Sequence, residues 1–322
     1  MKSMSFGPAE KSTINVGVVP AMDSAGFFVA QHDGLFAKEG LTVNYTPQAS
    51  SETAIAQQQS GKLDISGGNY VSYIQAAMKG TPVEVVAEAS IMKQGSQVVF
   101  TMPNSGIKSL SQLQGHMLGV NAPGNIDYLL SASTLQENGV NVGGVQFPTK
   151  PIPFPEMGPM LKKNQIAAAT MPEPFASLAE QQLGAVPIAD LNQGATQNFP
   201  IEGYVVTKQW AQQNPNTLKR FLAALEAGQE IADTNRSAVE QAFEALKGPA
   251  DGQVASSIAS VMALNNYPIG IDPTRIQRVS NVMQQFGQEG GRSKPFNVNS
   301  MLMPSSEFDF APFESNETSS SS

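Results

Sequence analysis

The sequence predicts an α/β protein of two lobes, each a mostly parallel sheet flanked by helices, with two interlobe crossings. Three observations predict it. Strand and helix signals alternate from residue 14 onward, the pattern of parallel strands with helices on both faces. The alternation breaks at residues 103–106 and then restarts. It ends at the strand-like GYVVT of residues 203–207, beyond which every signal is helical. The expected division is a discontinuous lobe I, residues 1–103 plus 204–303, around an inserted lobe II, residues 104–203. Residues 304–322, acidic and Ser-rich, are expected to be a disordered tail.

Each element has a local reason. Ile14, Val16 and Val18 alternate as a strand does. The turn PAMDSAG leads into a helix starting FFVAQ, and Gly34 and Gly40 punctuate the way to a strand LTVNYT. Ser50 or Ser51 caps a helix that Gly61 ends. LDIS is a short strand, Asn69 caps YVSYIQAAMK, and VEVVAEAS and QVVFT are strands. In the second lobe Ser109 opens a short helix, MLGVN is a strand, and Asn125 caps the helix that Gly139 ends. VQF, IAAAT and VPIAD read as strands separated by the helices PEMGPMLKKN and PFASLAEQQL. After residue 207, Asn214 with Pro215 opens a helix striped by Leu218, Phe221, Leu222 and Leu225. Ser237 caps the next, and Asp272 with Pro273 opens the last.

Composition narrows the functions. The chain has 322 residues, 41% hydrophobic but only 14% charged, with a net charge of −8. An acidic, charge-poor chain is unsuited to nucleic acid or an anionic membrane surface, both of which demand clustered Lys and Arg. With no cysteine, disulfides, iron–sulfur clusters, thiolate zinc sites and cysteine nucleophiles are excluded. Two histidines, His32 and His116, leave little for a metal site or acid–base chemistry. There is no GK[ST] phosphate loop and no G-x-S-x-G. No apolar run is long enough to span a membrane, and the N-terminus has no apolar leader stretch.

Four segments then carry a resemblance: residues 17–43 (GVVPAMDSAGFFVAQHDGLFAKEGLTV), 60–87 (SGKLDISGGNYVSYIQAAMKGTPVEVVA), 106–125 (GIKSLSQLQGHMLGVNAPGN) and the MPEPF of 171–175. In this order and spacing the chain resembles the solute-binding proteins of ABC importers in the nitrate, sulfonate, taurine and thiamine-pyrimidine-precursor group. The resemblance implies a type II periplasmic-binding-protein-like fold that closes on a small molecule on the outer face of the cytoplasmic membrane. It implies delivery to an ABC permease and its ATPase, by a monomer without cofactor or metal.

In open α/β sheets ligands sit at the carboxyl ends of strands, beside helix N-termini. Those places nominate the ligand-binding candidates. Asp23 and Ser24 lie in the first such turn, as hydrogen-bonding groups or helix caps. Gly68, Asn69 and Tyr70 form a second, with close backbone approach and a ring to stack on a planar ligand. Ser90 lies in EAS, Asn121 and Asn125 bound the NAPGN turn, and Met171 and Glu173 lie in TMPEP; Phe154 forms an apolar wall or lobe core. These turns carry Asp23, Glu88 and Glu173 but no Lys or Arg. Like charges would oppose an anion, so a neutral or cationic nitrogen compound is the expected ligand. The alternatives are a small anion (aliphatic sulfonate, taurine, nitrate or bicarbonate), an enzyme resembling thiamine-pyrimidine synthase, which the absence of cysteine disfavours, and a regulator's effector domain.

Overall fold

The computed structural model describes residues 6–248 and 253–304. The expected tail, with Phe308, Phe310 and Phe313, lies outside the described residues except for Pro304.

The first half-lobe runs β1 (Thr13–Val18), α1 (Ala25–His32), α2 (Leu35–Lys38), β2 (Thr42–Pro47), α3 (Ser51–Gln59), β3 (Ile65–Asn69), α4 (Tyr70–Met78) and β4 (Glu84–Ile91). The chain then crosses. Lobe II contains β5 (Gln97–Thr101), β6 (Leu118–Gly119), α5 (Ile126–Glu137), α6 (Phe154–Lys162), β7 (Ala168–Pro172), α7 (Phe175–Leu183) and β8 (Val186–Asp190). It returns through β9 (Pro200–Val206) to α8 (Lys208–Gln213), α9 (Pro215–Thr234), α10 (Arg236–Glu244), α11 (Ser256–Ala259) and α12 (Pro273–Gln285).

Lobe I is built on a five-stranded sheet, β2-β1-β3-β9-β4, and lobe II on a four-stranded one, β6-β7-β5-β8. The β1–β2, β1–β3 and β6–β7 pairs are parallel, whereas β9 and β5 run antiparallel to both neighbours. The reason is geometric. Strands of βαβ units end at the cleft, so a strand arriving from the other lobe enters its sheet at the cleft end and must run the opposite way. The sheets therefore exchange the chain between Ile91 and Gln97 and between Asp190 and Pro200, earlier than the 103/104 and 203/204 boundaries read from turn residues. QVVFT thus belongs to the second sheet.

Other local readings differ too. Residues 145–147 form no strand, only one bridge from Gln146 to Met117. Asn235, not Ser237, caps α10, accepting from Ala238 N–H. The Asn214 side chain does not cap α9 but donates to the Trp210 carbonyl.

The core of lobe I is aromatic. Phe36 stacks on Phe221, and Phe27, Phe28, Tyr45 and Phe243 pack edge-on or tilted around them. Each ring buried fully adds about 1.5–3 kcal/mol. Gly26 and Gly228 let α1 and α9 touch: a Cβ on Gly228 would lie 2.3 Å from the Gly26 carbonyl oxygen.

Candidate functional site

The carboxyl ends of β1, β2 and β3 and the amino end of β9 face the corresponding edge of lobe II, and the lobes are in contact. Met22 N–H donates to the Glu173 carbonyl at 2.7 Å. Asn121 Nδ2 donates to the Ala49 carbonyl at 2.9 Å, and Ala263 N–H to Glu173 Oε1 at 3.2 Å.

At the centre lies Asp23, 4% exposed. It accepts from Asn265 Nδ2 at 2.8 Å and from Gln97 Nε2, at the cleft end of lobe II, at 3.3 Å. Ser24 Oγ donates to Glu202 Oε2 at 3.0 Å. Glu202 stands opposite Ser90 in the β4–β9 register and opposite Asn69 in β3–β9. Asp127, on the first turn of α5, accepts from Asn121 N–H at 3.0 Å. Glu52 Oε1 accepts from Ser72 Oγ.

Burial pushes the Asp23 carboxyl up to about 6 and Asp127 up to about 8. It drives Glu202 well above the usual carboxylate range, helped by the charges of Asp23 and Asp127. The cause is loss of hydration without a compensating cation. Among the described residues no Lys, Arg or His hydrogen-bonds or ion-pairs with Asp23, Glu52, Asp127 or Glu202. The Gln97 Oε1, Asn265 Oδ1, Ser90 Oγ and Glu52 Oε2 atoms are buried without a partner. Three of these are pure acceptors, since both amides turn their nitrogens to Asp23. The site is a buried polar cluster rich in acceptors, in which the hydroxyls of Ser90 and of Tyr204, beside Glu202, are the unpartnered groups able to donate.

The candidates from sequence divide. Asp23, Ser24 and Ser90 come together with Glu202. Asn121 and Asn125 shape the lobe II turn: Asn125 caps α5 through Asp127 N–H, and Asn121 Nδ2 also donates to the Ile152 carbonyl. Gly68 is needed for packing, because a Cβ there would lie 2.7 Å from Ser51 Oγ. Asn69 is committed to capping α4 through Ser72 N–H and to Ser51 Oγ. Tyr70 is fully buried in the core rather than presented to the cleft.

Glu173 is buried, but its carboxylate accepts from Ser177 N–H, Ser177 Oγ–H and Ala263 N–H. Burial raises its carboxyl as well. Glu88 belongs to a salt bridge: Arg275 Nε and Nη2 reach its oxygens at 2.8 and 3.1 Å. Phe154 stacks on Phe175, and with Met171 they line a hollow of ≈ 400 Å³ between α6 and α7, sharing no lining residue with the acid cluster. Five participants were missed by sequence reasoning: Glu52, Glu202, Asp127, Gln97 and Asn265. Glu202 did leave a signal, as the one charged residue in the buried strand PIEGYVV.

Two α/β lobes linked by two crossings and meeting over a buried polar chamber define the periplasmic-binding-protein fold. The chain belongs to the NMT1-like family, whose sequence profile matches residues 7–246. It is 22% identical over 248 residues to the nitrate/nitrite binding protein NrtA of Nostoc sp., a match covering 70% of this chain but only 54% of that relative's length. It is 24% identical over 298 residues to a Haemophilus influenzae protein named for thiamine biosynthesis, covering 86% of this chain and 88% of the relative. The ligand-binding component of an ABC-type import system from Staphylococcus aureus, solved with zinc bound, superimposes with a TM-score of 0.76 at 15% identity. That match covers 93% of this chain and 99% of the other. Among the described residues no helix is long and apolar enough to cross a membrane.

Proposed function

We propose that the protein is the extracytoplasmic solute-binding component of an ABC importer and that its solute is a small, basic, nitrogen-containing compound. The observation that carries the ligand class is the set around Asp23. Two buried carboxyls, Asp23 and Glu202, and two unpartnered amide oxygens, on Gln97 and Asn265, converge with no cation beside them. Buried acceptors of this kind are costly alone and favourable when a charged N–H donor fills them. Binding draws the lobes together, and the permease reads the closed form. The fold, the family and the ABC-type neighbour support the transport half of this reading. The absence of cysteine disfavours an enzyme resembling thiamine-pyrimidine synthase, despite one relative's name.

A second reading, a small anion held by backbone N–H groups and hydroxyls, is favoured by the name of the Nostoc relative. Calorimetric titration at neutral pH in two buffers of different protonation enthalpy separates the two. A cation displaces protons from carboxyls whose affinity for them is raised, so amidines or diamines, already protonated at neutral pH, should bind with net proton release, and aminopyrimidines, which must themselves take up a proton, with little net exchange. Asp23→Asn should weaken that binding about tenfold or more, the scale of a lost hydrogen bond to a charged group. Heat only from nitrate, sulfonates or bicarbonate, with proton uptake, overturns the basic-solute reading.

A further inference from the structure

Lobe II contributes one ionisable side chain to the acid cluster. Asp127 is 2% exposed, with Oδ2 on Asn121 N–H and no donor to Oδ1 among the described residues. The turn that carries it is pressed onto lobe I at three points. Asn121 Nδ2 reaches the Ala49 carbonyl, and the Gly124 carbonyl accepts from Gln75 Nε2 and Gln288 Nε2, each at 2.9 Å. These bonds join the lobes, so moving the turn away from lobe I breaks them. Closure therefore carries Asp127 towards three acids of lobe I: Asp23, Glu52 and Glu202. Independent of the acids, Gln97 and Asn265, 2% and 3% exposed, hold buried oxygens without partners beside Asp23. The cluster thus holds acceptors without partners and, among the described residues, no positive charge paired with its acids.

We propose that Asp127 is a specificity-determining residue that makes lobe closure conditional on a positive charge in the guest. The inference rests on the reading of the cleft as a site for a basic solute. With a cation between the lobes, Asp127 closes onto it as a second counter-charge. With no guest, or with a neutral look-alike held by lobe I alone, closing sets Asp127 against Asp23, Glu52 and Glu202. Like charges in a water-poor chamber repel far more strongly than in solvent. The open form is then preferred, and a transporter that reads the closed form is not engaged. Burial raises the proton affinities of Asp23, Asp127 and Glu202, and neighbouring carboxylates add to it at Asp127 (Asp23 and Glu52) and at Glu202 (Asp23 and Asp127).

The test needs no ligand. The chain lacks cysteine, so Lys62→Cys and Lys162→Cys, exposed in lobe I and lobe II, take spin labels uniquely. Interlobe distances by pulsed electron resonance are compared for the labelled parent, Asp127→Asn and Glu52→Gln. Asn at 127 keeps an oxygen to accept from Asn121 N–H, and Glu52→Gln alters the other side of the same repulsion should Asp127→Asn misfold. At about pH 9, where Asp127 and the carboxyls of Asp23 and Glu202 facing it are most ionised, the parent should be mainly open. Either substitution should raise the closed-to-open ratio about tenfold or more, and so should bringing the parent to about pH 5.5. Folded variants with the parent's distance distribution overturn the inference, as does a parent already closed at the alkaline pH. Because no ligand is used, that failure is separate from a titration panel that finds only anions, which would overturn the cleft reading instead.

Discussion

Glu173 and Glu202 are both buried acids at the cleft ends of strands, and their surroundings separate their roles. Both Glu173 carboxylate oxygens are spent on Ser177 or Ala263. Glu202 has Ser24 Oγ–H as its donor and Asp23 and Asp127 as its electrostatic neighbours. Glu173→Ala should therefore act on stability: it strands buried N–H and O–H groups of Ser177 and the N–H of Ala263. The expected loss is about 1–3 kcal/mol per unsatisfied group, read from urea melts as a lower midpoint with an unchanged slope. A fully stable Glu173→Ala protein that fails to bind would reverse that assignment. What was legible at this scale was position along the chain. Asp23 and Ser24 were found because they follow a strand and precede a helix. Direction was not legible: Tyr70 sits in an equally well-placed turn, yet its ring points into the core. Asp127 follows its Asn125 cap as any first-turn acid does, favourable beside the helix dipole, and only the apposition of the other lobe makes it part of the buried cluster.

At the scale of elements, the alternation of strand and helix was enough for the fold class, because one βα unit after another declares itself locally. The crossings were not, since a strand's sheet is chosen by long-range pairing. Gln97–Thr101 pairs with residues 168–172 and 186–190, none of them near it in sequence. Helix starts show the same division. Asp272 caps α12 as read, accepting from Thr274 and Arg275 N–H. For α9 the cap comes from far away: the Glu10 carboxylate accepts from Asn216 N–H and Nδ2 and from Thr217 N–H and Oγ1. Desolvation opposes ionisation there, but these hydrogen bonds outweigh it and hold Glu10 at about 2, below its usual 4.5. A depressed carboxyl contributes stability that is complete above 4.5 and is lost as pH falls towards 2. Glu10→Ala should cost about 0.5–2 kcal/mol at neutral pH, nearer the low end because Glu10 is solvent-exposed. Melts repeated near about pH 2.5 should show the difference shrinking; a penalty independent of pH would mean that packing of the N-terminal arm, not the charge, supports α9.

For the whole molecule, the proposed closure on a solute needs the two crossings to act as one hinge, and they are joined by a backbone bond, Met92 N–H to the Phe199 carbonyl at 2.8 Å, and by the side chain of Asp190. Asp190, the last residue of β8, accepts from Gly95 N–H in the first crossing at 2.7 Å and from Asn192 N–H in the second at 3.0 Å. Its carbonyl accepts from Gln193 Nε2. Gly95 has a φ of +79°, a left-handed conformation that presents its N–H to Asp190 and that a side chain would strain. Held by that backbone bond and this carboxylate, the crossings should restrict the relative orientations of the lobes and so lower the freedom lost on closure. Asp190→Ala removes the carboxylate link without touching Asp23, Glu202 or any other chamber residue. The cores of both lobes should stay as stable as before, while amide exchange at Gly95 and Asn192 accelerates, by about the two- to tenfold that one surface-linked hydrogen bond represents. Affinity for whichever solute binds should fall by a similar factor, because the closing-competent fraction of the open ensemble shrinks. Exchange confined to an unchanged rate, together with unchanged affinity, would show that the two segments are held by their strands and that backbone bond alone and that Asp190 does not couple them.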